Sequence, residues 1–177
     1  MTGLPGSGKS TITKILRKKI IKKGIILQIV SSDELRKVIT PNPKFSDEER
    51  DMVYGSLVFI AKLLTKNGIN VIIDATGNRR KYRDNSRITI PKFKEIYLRC
   101  PLDICIKREG ERRNTSLAPK QIYKRASIIN NTIPGFGAPY EEPLNPDFII
   151  DTDKLDPKQS AELILDYIKK WITNYHN

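Results

Sequence analysis

The chain has 177 residues, 38% apolar and 29% charged, with 32 Lys+Arg against 20 Asp+Glu and a formal net charge of +12. That size suits a single domain over residues 1–177 with a full core. The absence of any run of about 18 apolar residues or a signal-peptide pattern excludes a membrane helix and leads us to expect a cytoplasmic protein. The positive balance suits polyanionic ligands from nucleotides to RNA. Clusters such as Arg17-Lys18-Lys19 and Lys22-Lys23 nonetheless read as the solvated face of a helix. The two cysteines, Cys100 and Cys105, lack metal-ligand spacing and read as buried free thiols.

The first element is the string Gly3-Leu4-Pro5-Gly6-Ser7-Gly8-Lys9-Ser10-Thr11, which fits G-x-x-x-x-G-K-[ST]. Gly3, Gly6 and Gly8, with Ser7 and Thr11 in the same loop, let backbone N–H groups wrap a phosphate. Lys9 reaches the β- and γ-phosphates, and the Ser10 hydroxyl is placed for Mg²⁺. A helix over 10–23 follows, with Ile12, Ile15, Leu16 and Ile20 apolar, and points its positive dipole end at the same phosphates. ATP and Mg²⁺ are therefore the expected cofactors. Only Met1 and Thr2 precede the loop, where a buried parallel strand normally leads into it. The first strand is expected to be missing or truncated, through a start set too far downstream or a clipped sequence. Losing a central strand would cost an amount comparable with a whole domain's stability, about 5–15 kcal/mol.

A strand over 25–31 comes next, then the turn Pro41-Asn42-Pro43 and a long helix over 47–67. The pattern continues as a strand over 69–75, a basic helical segment over 80–89 and a strand over 94–99. Pro101 opens a helix at its first position. A short strand over 147–151 and an amphipathic helix over 157–175, carrying Ala161, Leu163, Ile164, Leu165, Ile168 and Trp171, close the chain. Alternation of strand and helix predicts an α/β fold: a three-layer P-loop NTPase arrangement with a parallel sheet covered on both faces. Ligands in such folds collect at the carboxyl ends of the strands.

The polar residues fall at those ends. In Ser31-Ser32-Asp33-Glu34-Leu35-Arg36, Asp33 is placed to accept the proton of an attacking hydroxyl or to hold Mg²⁺ through water. A helix N-cap is its other reading. Arg36, one turn on, suits an anionic substrate. Asp74 ends an apolar strand in a Walker-B-like position. Asn78, with Arg79 and Arg80, grips substrate or caps the next helix. Arg108, Arg112 and Arg113 are candidates for a lid that neutralises the transferring phosphate. The loop Pro134-Gly135-Phe136-Gly137-Ala138-Pro139-Tyr140 carries two aromatics expected to be exposed, either a wall for an adenine ring or a rigid connector.

Taken together, several strings resemble the adenylylsulfate kinase family along nearly the whole chain. They are the loop at 3–11, Phe45-Ser46-Asp47-Glu48-Glu49-Arg50, Arg99-Cys100-Pro101-Leu102-Asp103-Ile104-Cys105, Ile122-Tyr123-Lys124-Arg125-Ala126, and Pro139-Tyr140-Glu141-Glu142-Pro143-Leu144-Asn145-Pro146 running into Ile150-Asp151-Thr152. The resemblance implies transfer of the ATP γ-phosphate to the 3′-hydroxyl of adenosine 5′-phosphosulfate. It implies Asp33 as the carboxylate near the attacking hydroxyl, Arg36 and Arg50 as ligands of the phosphosulfate, and Phe45 as a stacking platform for the substrate's adenine. Asp74 and Asn78 complete the expected substrate site, and Lys9, Asp33 and Arg108 the catalytic set. The expected partner is a small nucleotide, with no membrane and a homodimer as an open option.

The departures from the family pattern gather on the acceptor side. Ser31-Ser32-Asp33 stands where the family has Asp-Gly-Asp, Val53 where it has Asn, and Thr76-Gly77-Asn78 where it has Ile-Ser-Pro. Ile133 takes the place of a second stacking Phe, and the lid between Glu109 and Ile122 is longer. Asp74-Ala75-Thr76-Gly77-Asn78 with Arg112-Arg113-Asn114 also looks like polynucleotide- and aminoacyl-tRNA-kinase-like enzymes. A kinase acting on a hydroxyl of RNA or another metabolite is therefore the less favoured alternative, and a nucleotide-gated RNA-binding module without transfer activity is a third.

Overall fold

The computed structural model describes residues 1–112, 121–124 and 133–175, with side chains described up to Trp171. Helix α1 (Lys9–Ile21) leaves the phosphate loop directly, capped by Gly8 in the left-handed region at φ 94°, a conformation that costs a glycine nothing sterically. Its buried residues Ile12, Leu16 and Ile20 recur every fourth position and so share one face. They pack with Leu98, Ile150, Ala161 and Ile164 into the larger core cluster. Helix α6 (Pro157–Tyr175) supplies the last two of these and covers the same face of the sheet.

Strands β1 (Leu27–Ser31) and β2 (Asn70–Asp74) pair in parallel, with Leu27 opposite Asn70 and Ser31 opposite Asp74. Strands β3 (Ile96–Arg99) and β6 (Phe148–Asp151) form a second parallel pair. Helices α3 (Asp47–Lys66) and α4 (Arg80–Thr89) cover the other face, burying Val53, Tyr54, Leu57 and Tyr82 against Val30 and Ala75. Helix α5 (Leu102–Gly110) follows β3, and two short pairings, β4 (Ile133–Pro134) and β5 (Gly137–Ala138), lie in the loop before β6.

Met1 and Thr2 occupy the strand slot between the two pairs. The Met1 ammonium donates to the Ile73 carbonyl of β2 at 2.8 Å. On the other side Thr2 N–H donates to Ile96 O at 2.9 Å, and Thr2 O accepts from Leu98 N–H at 2.9 Å. Thr2 is 3% exposed, so these two residues sit as a central strand would.

Three details depart from the sequence reading. Helix α2 (Ser32–Ile39) follows β1 without a loop. The expected strand over 25–31 is shorter, because Ile25 and Ile26 are solvent-exposed. Pro101 is the N-cap of α5 rather than its first helical residue. Among the described residues no helix is long and apolar enough to cross a membrane.

Candidate active site

The loop at 3–8 is shaped for a phosphate by its backbone. Gly6 has φ +91°, and a Cβ there would lie 2.3 Å from the Cys105 carbonyl oxygen, so only glycine lets the loop pass over α5. Ser7 is fully buried, and its Oγ has no hydrogen-bond partner among the described residues. The Lys9 ammonium folds back to donate to Gly3 O and Leu4 O, each at 2.9 Å. An orphaned hydroxyl and an ammonium held only by carbonyls are groups that a phosphate would satisfy, so the loop fits the ATP phosphates. Ser10 and Thr11 are exposed at the first turn of α1, with the Ser10 hydroxyl free to ligate Mg²⁺ beside them. Beyond the loop opens a cleft of about 280 Å³ lined by Gly6, Gly8, Thr11, Arg108, Arg112 and Thr152, among others.

Asp74 at the end of β2 and Asp33 just beyond the end of β1 both act on Lys9. Burial pushes the Lys9 ammonium below its usual value, and Asp74 and then Asp33 pull it back. Burial raises the Asp33 carboxyl above the ordinary carboxylate range, against the attraction of Lys9 and helped by the charge of Asp74. Asp33 is not the cap of α2: Ser31 holds that position, and Asp33 lies within the first turn. A partly exposed carboxylate with a raised pKa beside a phosphate loop is suited to accept a hydroxyl proton. Of the oxygen-bearing groups around Lys9, Ser10 is exposed, Asp33 half-buried and Asp74 7% exposed.

On the acceptor side the Arg36 guanidinium lies 5.1 Å from the centre of the Phe45 ring. Burial, with Arg50 nearby, lowers its pKa, while Tyr54 opposes the shift. Arg50 is 7% exposed and pairs at 3.5 Å with Asp47, which also accepts from Arg79 at 2.7 Å. Phe45 sits at φ +56°, a region that bulky residues rarely adopt. It is held there by Glu49, whose carboxylate accepts from Phe45 N–H at 2.6 Å and Lys44 N–H at 2.9 Å. Ser46 Oγ accepts from Glu49 N–H at 3.2 Å and so caps the start of α3, while the Glu49 carboxylate reaches back past the cap to the two residues before it.

The loop after β2 is fastened to the segment before β6. Asn78 is 1% exposed. Its amide donates to Pro139 O at 3.3 Å, and its carbonyl accepts from Glu141 N–H at 2.7 Å. It does not cap α4, whose N-cap is Arg79 without a side-chain bond. Arg83, 6% exposed, donates to the carbonyls of Gly77 and Glu141 and pairs with buried Glu95 at 2.6 Å. Tyr54 Oη accepts from Gly77 N–H at 2.9 Å, and its ring stacks on Tyr82 at 4.2 Å. Tyr140, expected to be exposed, is turned inward instead. Its hydroxyl meets Thr2 Oγ1 at 3.0 Å, beside the bond that Thr2 Oγ1 itself donates to Thr76 O at 2.6 Å, and Phe136 alone of the two aromatics is exposed.

The structure therefore brings Lys9, Asp33 and Asp74 together, and sets Arg36, Phe45 and Arg50 beside them. Of the lid arginines, Arg108 donates to Thr152 O at 2.8 Å and borders the cleft, whereas Arg112 is the one whose charge reaches both Lys9 and Asp33. Arg113, Asn114, Arg125 and Ala126 lie outside the described residues. Val53 is fully buried among Tyr54, Leu57 and Tyr82, so the polar contact expected of the family's Asn is replaced by core. Glu49, Tyr54, Arg83 and Glu141 went unnoticed as site-building residues. Only the Ser46-Asp47-Glu48-Glu49 capping-box spacing carried a signal for any of them.

A parallel sheet flanked by helices, with a glycine loop, an invested lysine and strand-end carboxylates, defines a P-loop kinase: an enzyme that moves a phosphoryl group from ATP. Comparison with known proteins narrows this. The family model described as adenylylsulphate kinase matches residues 1–151, and the chain belongs to that family. It is 34% identical over 168 residues to the probable adenylyl-sulfate kinase of Pyrococcus abyssi, covering 93% of this chain and 90% of the relative. It is 36% identical over 157 residues to that of Archaeoglobus fulgidus, covering 88% and 96%. Among solved structures it is similar to the Mycobacterium tuberculosis APS kinase in complex with AMPPNP and APS. There the TM-score is 0.82 at 28% identity, over 95% of this chain and 94% of that one.

Proposed function

We propose that this kinase transfers the γ-phosphate of MgATP to the 3′-hydroxyl of adenosine 5′-phosphosulfate, giving 3′-phosphoadenylyl sulfate. The observation that carries the reading is the adjacency of two sites. Lys9, Asp33 and Asp74 share one electrostatic cluster, and Arg36, whose charge reaches Asp33, stacks against Phe45 on the acceptor side. Gly3, Gly6, Ser7, Gly8 and Thr11 cradle the triphosphate, Lys9 holds its β- and γ-phosphates, and Ser10 ligates Mg²⁺ with Asp33 nearby. The metal supplies charge neutralisation on the phosphates. Asp33 takes the acceptor's proton, Arg36 and Arg50 take its anionic group, and Phe45 stacks on its base. Asp74 restrains Lys9 and Asp33 electrostatically. Asn78 serves the acceptor through the loop it fastens, and Arg108 and Arg112 border the donor cleft.

The exposed apolar side chains Met52, Phe59 and Leu63 on α3 support a homodimer. The alternative acceptor, a hydroxyl of RNA, draws on the net charge and on Thr76-Gly77-Asn78, but Asn78 is buried against Pro139 rather than open to a ligand. The test is ADP release from MgATP with adenosine 5′-phosphosulfate offered against 5′-hydroxyl RNA and tRNA. Turnover confined to the phosphosulfate is expected, and turnover confined to RNA would overturn the reading.

A further inference from the structure

Beyond Arg36 and Arg50, the acceptor side holds one more guanidinium that the family resemblance does not supply. Arg79 stands at the N-cap of α4, at the end of the stretch where Thr76-Gly77-Asn78 departs from the family pattern. Its side chain reaches the first turn of α3, where Nη2 donates to Asp47 Oδ2 at 2.7 Å. The other oxygen of the same carboxylate faces Arg50 at 3.5 Å. Arg50 in turn lies close enough to Arg36 to disfavour its charge. One carboxylate thus spans two arginines, with a third alongside. Glu49 and Asp33 also act on the Arg36 charge, so the corner mixes three guanidiniums with three carboxylates.

Two further features point to a ligand. Arg36 Nη1 and Arg79 Nε are both buried nitrogens with no hydrogen-bond partner among the described residues. Buried donors are normally satisfied, and guanidinium forks are suited to paired oxyanion oxygens. Asp47 itself is about half exposed, so its side chain can turn to water when another anion takes its place.

We propose that Arg79 is a third acceptor-binding guanidinium, which joins Arg36 and Arg50 on the acceptor's dianionic group and is held ready by Asp47 until that group arrives. The inference rests on the acceptor reading above. It identifies a specificity residue donated by the loop that departs from the family pattern.

The test is titration calorimetry of wild type, Arg79→Met, Arg79→Lys and Arg17→Met with adenosine 5′-phosphosulfate, each saturated with MgADP. Arg79→Met is expected to weaken acceptor binding at least about tenfold, with Arg79→Lys recovering only part of it, since an ammonium lacks the fork. Affinity for MgADP should stay within about twofold. Arg17→Met, which removes an exposed guanidinium from the polar face of α1, should bind as wild type does. If wild type does not bind the phosphosulfate, the acceptor reading fails, and inorganic pyrophosphate titrated onto the same MgADP complexes then decides the role of Arg79. Equal affinity of wild type and Arg79→Met for the ligand that binds, equal losses in Arg79→Met and Arg17→Met, or binding of neither anion by wild type would each overturn the inference.

Discussion

The donor half and the acceptor half of this site are built by different means. The phosphate loop is made of backbone: one contiguous segment, Gly3 to Thr11, whose shape follows from glycines that no other residue can replace, as the 2.3 Å approach at Gly6 shows. The acceptor half is made of side chains from four separated segments, around Asp33–Arg36, Phe45–Arg50, Asp74–Arg83 and Pro139–Glu141. They are joined by hydrogen bonds and ion pairs such as that from Arg83 to the Glu141 carbonyl and Arg79–Asp47. A backbone-built site changes little without breaking, whereas a side-chain-built site can be re-lined one residue at a time. That is where this chain departs from its family, at Val53, Thr76-Gly77-Asn78 and Ile133.

The contrast is tested most strongly where the halves meet. Asp33→Asn is expected to lower kcat about 10²–10⁴-fold, the usual contribution of a positioned base, while the KM for ATP stays within about twofold. Lys9→Ala, on the donor side, should lower kcat and weaken ATP together. A base works only when deprotonated, and burial raises the folded pKa of Asp33. The acidic limb of the wild-type pH–rate profile should therefore lie above the ordinary carboxylate range of about 4 and vanish in Asp33→Asn. The same sign governs stability. A raised folded pKa means that stability falls as pH rises from the unfolded toward the folded value. At neutral pH the Asn variant should melt no lower than wild type, so a loss of rate cannot be charged to unfolding. A retained acidic limb would remove Asp33 from the chemistry.

The second test concerns what holds the acceptor half together. Arg83→Met leaves buried Glu95 with only its longer contact to Arg87 at 3.4 Å and frees the Gly77 and Glu141 carbonyls. A loss of about 3–5 kcal/mol of stability is expected from denaturant unfolding. The double variant Arg83→Met/Glu95→Gln should recover part of it, because the stranded charge is then gone. Acceptor KM should rise more than ATP KM, since the loops at 77–80 and 139–141 carry acceptor groups and the phosphate loop does not touch Arg83. Equal changes in both would mean that the two halves are one mechanical unit.

These two halves also explain what could be read without coordinates. The alternation of apolar runs with glycine and proline breaks placed α3, α4 and α6 to within a residue or so, because those elements are long or sharply bounded. Helix α2 was given no bounds in the sequence reading, which raised it only as a helix for Asp33 to cap. It begins at Ser32, directly after the last residue of β1, with no turn residue between them. Lys9 stood out through the phosphate-loop spacing, Asp33 and Arg36 through their place after a strand, and Arg50 only through the family resemblance. Arg83 did not, because its role depends on Gly77, Glu95 and Glu141 meeting in space, and nothing in the spacing of those four residues announces it. Tyr140 was misjudged for the same reason: its hydroxyl partner, Thr2, lies 138 positions away in the sequence.

The smallest expected effect is the most specific to the acceptor half. A bulky residue at positive φ stores roughly 1–3 kcal/mol of strain that its surroundings must hold in place. Phe45 at φ +56° is such a residue, and Glu49 is its restraint through two backbone N–H groups. Glu49→Ala should let the 44–45 backbone relax to negative φ and swing the ring away from Arg36. Acceptor KM is then expected to rise about 3–10-fold, with kcat at saturation and ATP KM nearly unchanged and about 1 kcal/mol lost from the α3 cap. Phe45→Ala should raise acceptor KM further, since stacking on a base contributes about 1–3 kcal/mol. In Glu49→Ala/Phe45→Ala the two effects should not add, because Glu49 acts on the acceptor only through the ring. Additive losses would show instead that Glu49 shapes the Arg36–Arg50 corner directly, and that the strained backbone is a consequence of the α3 cap rather than a device for presenting Phe45.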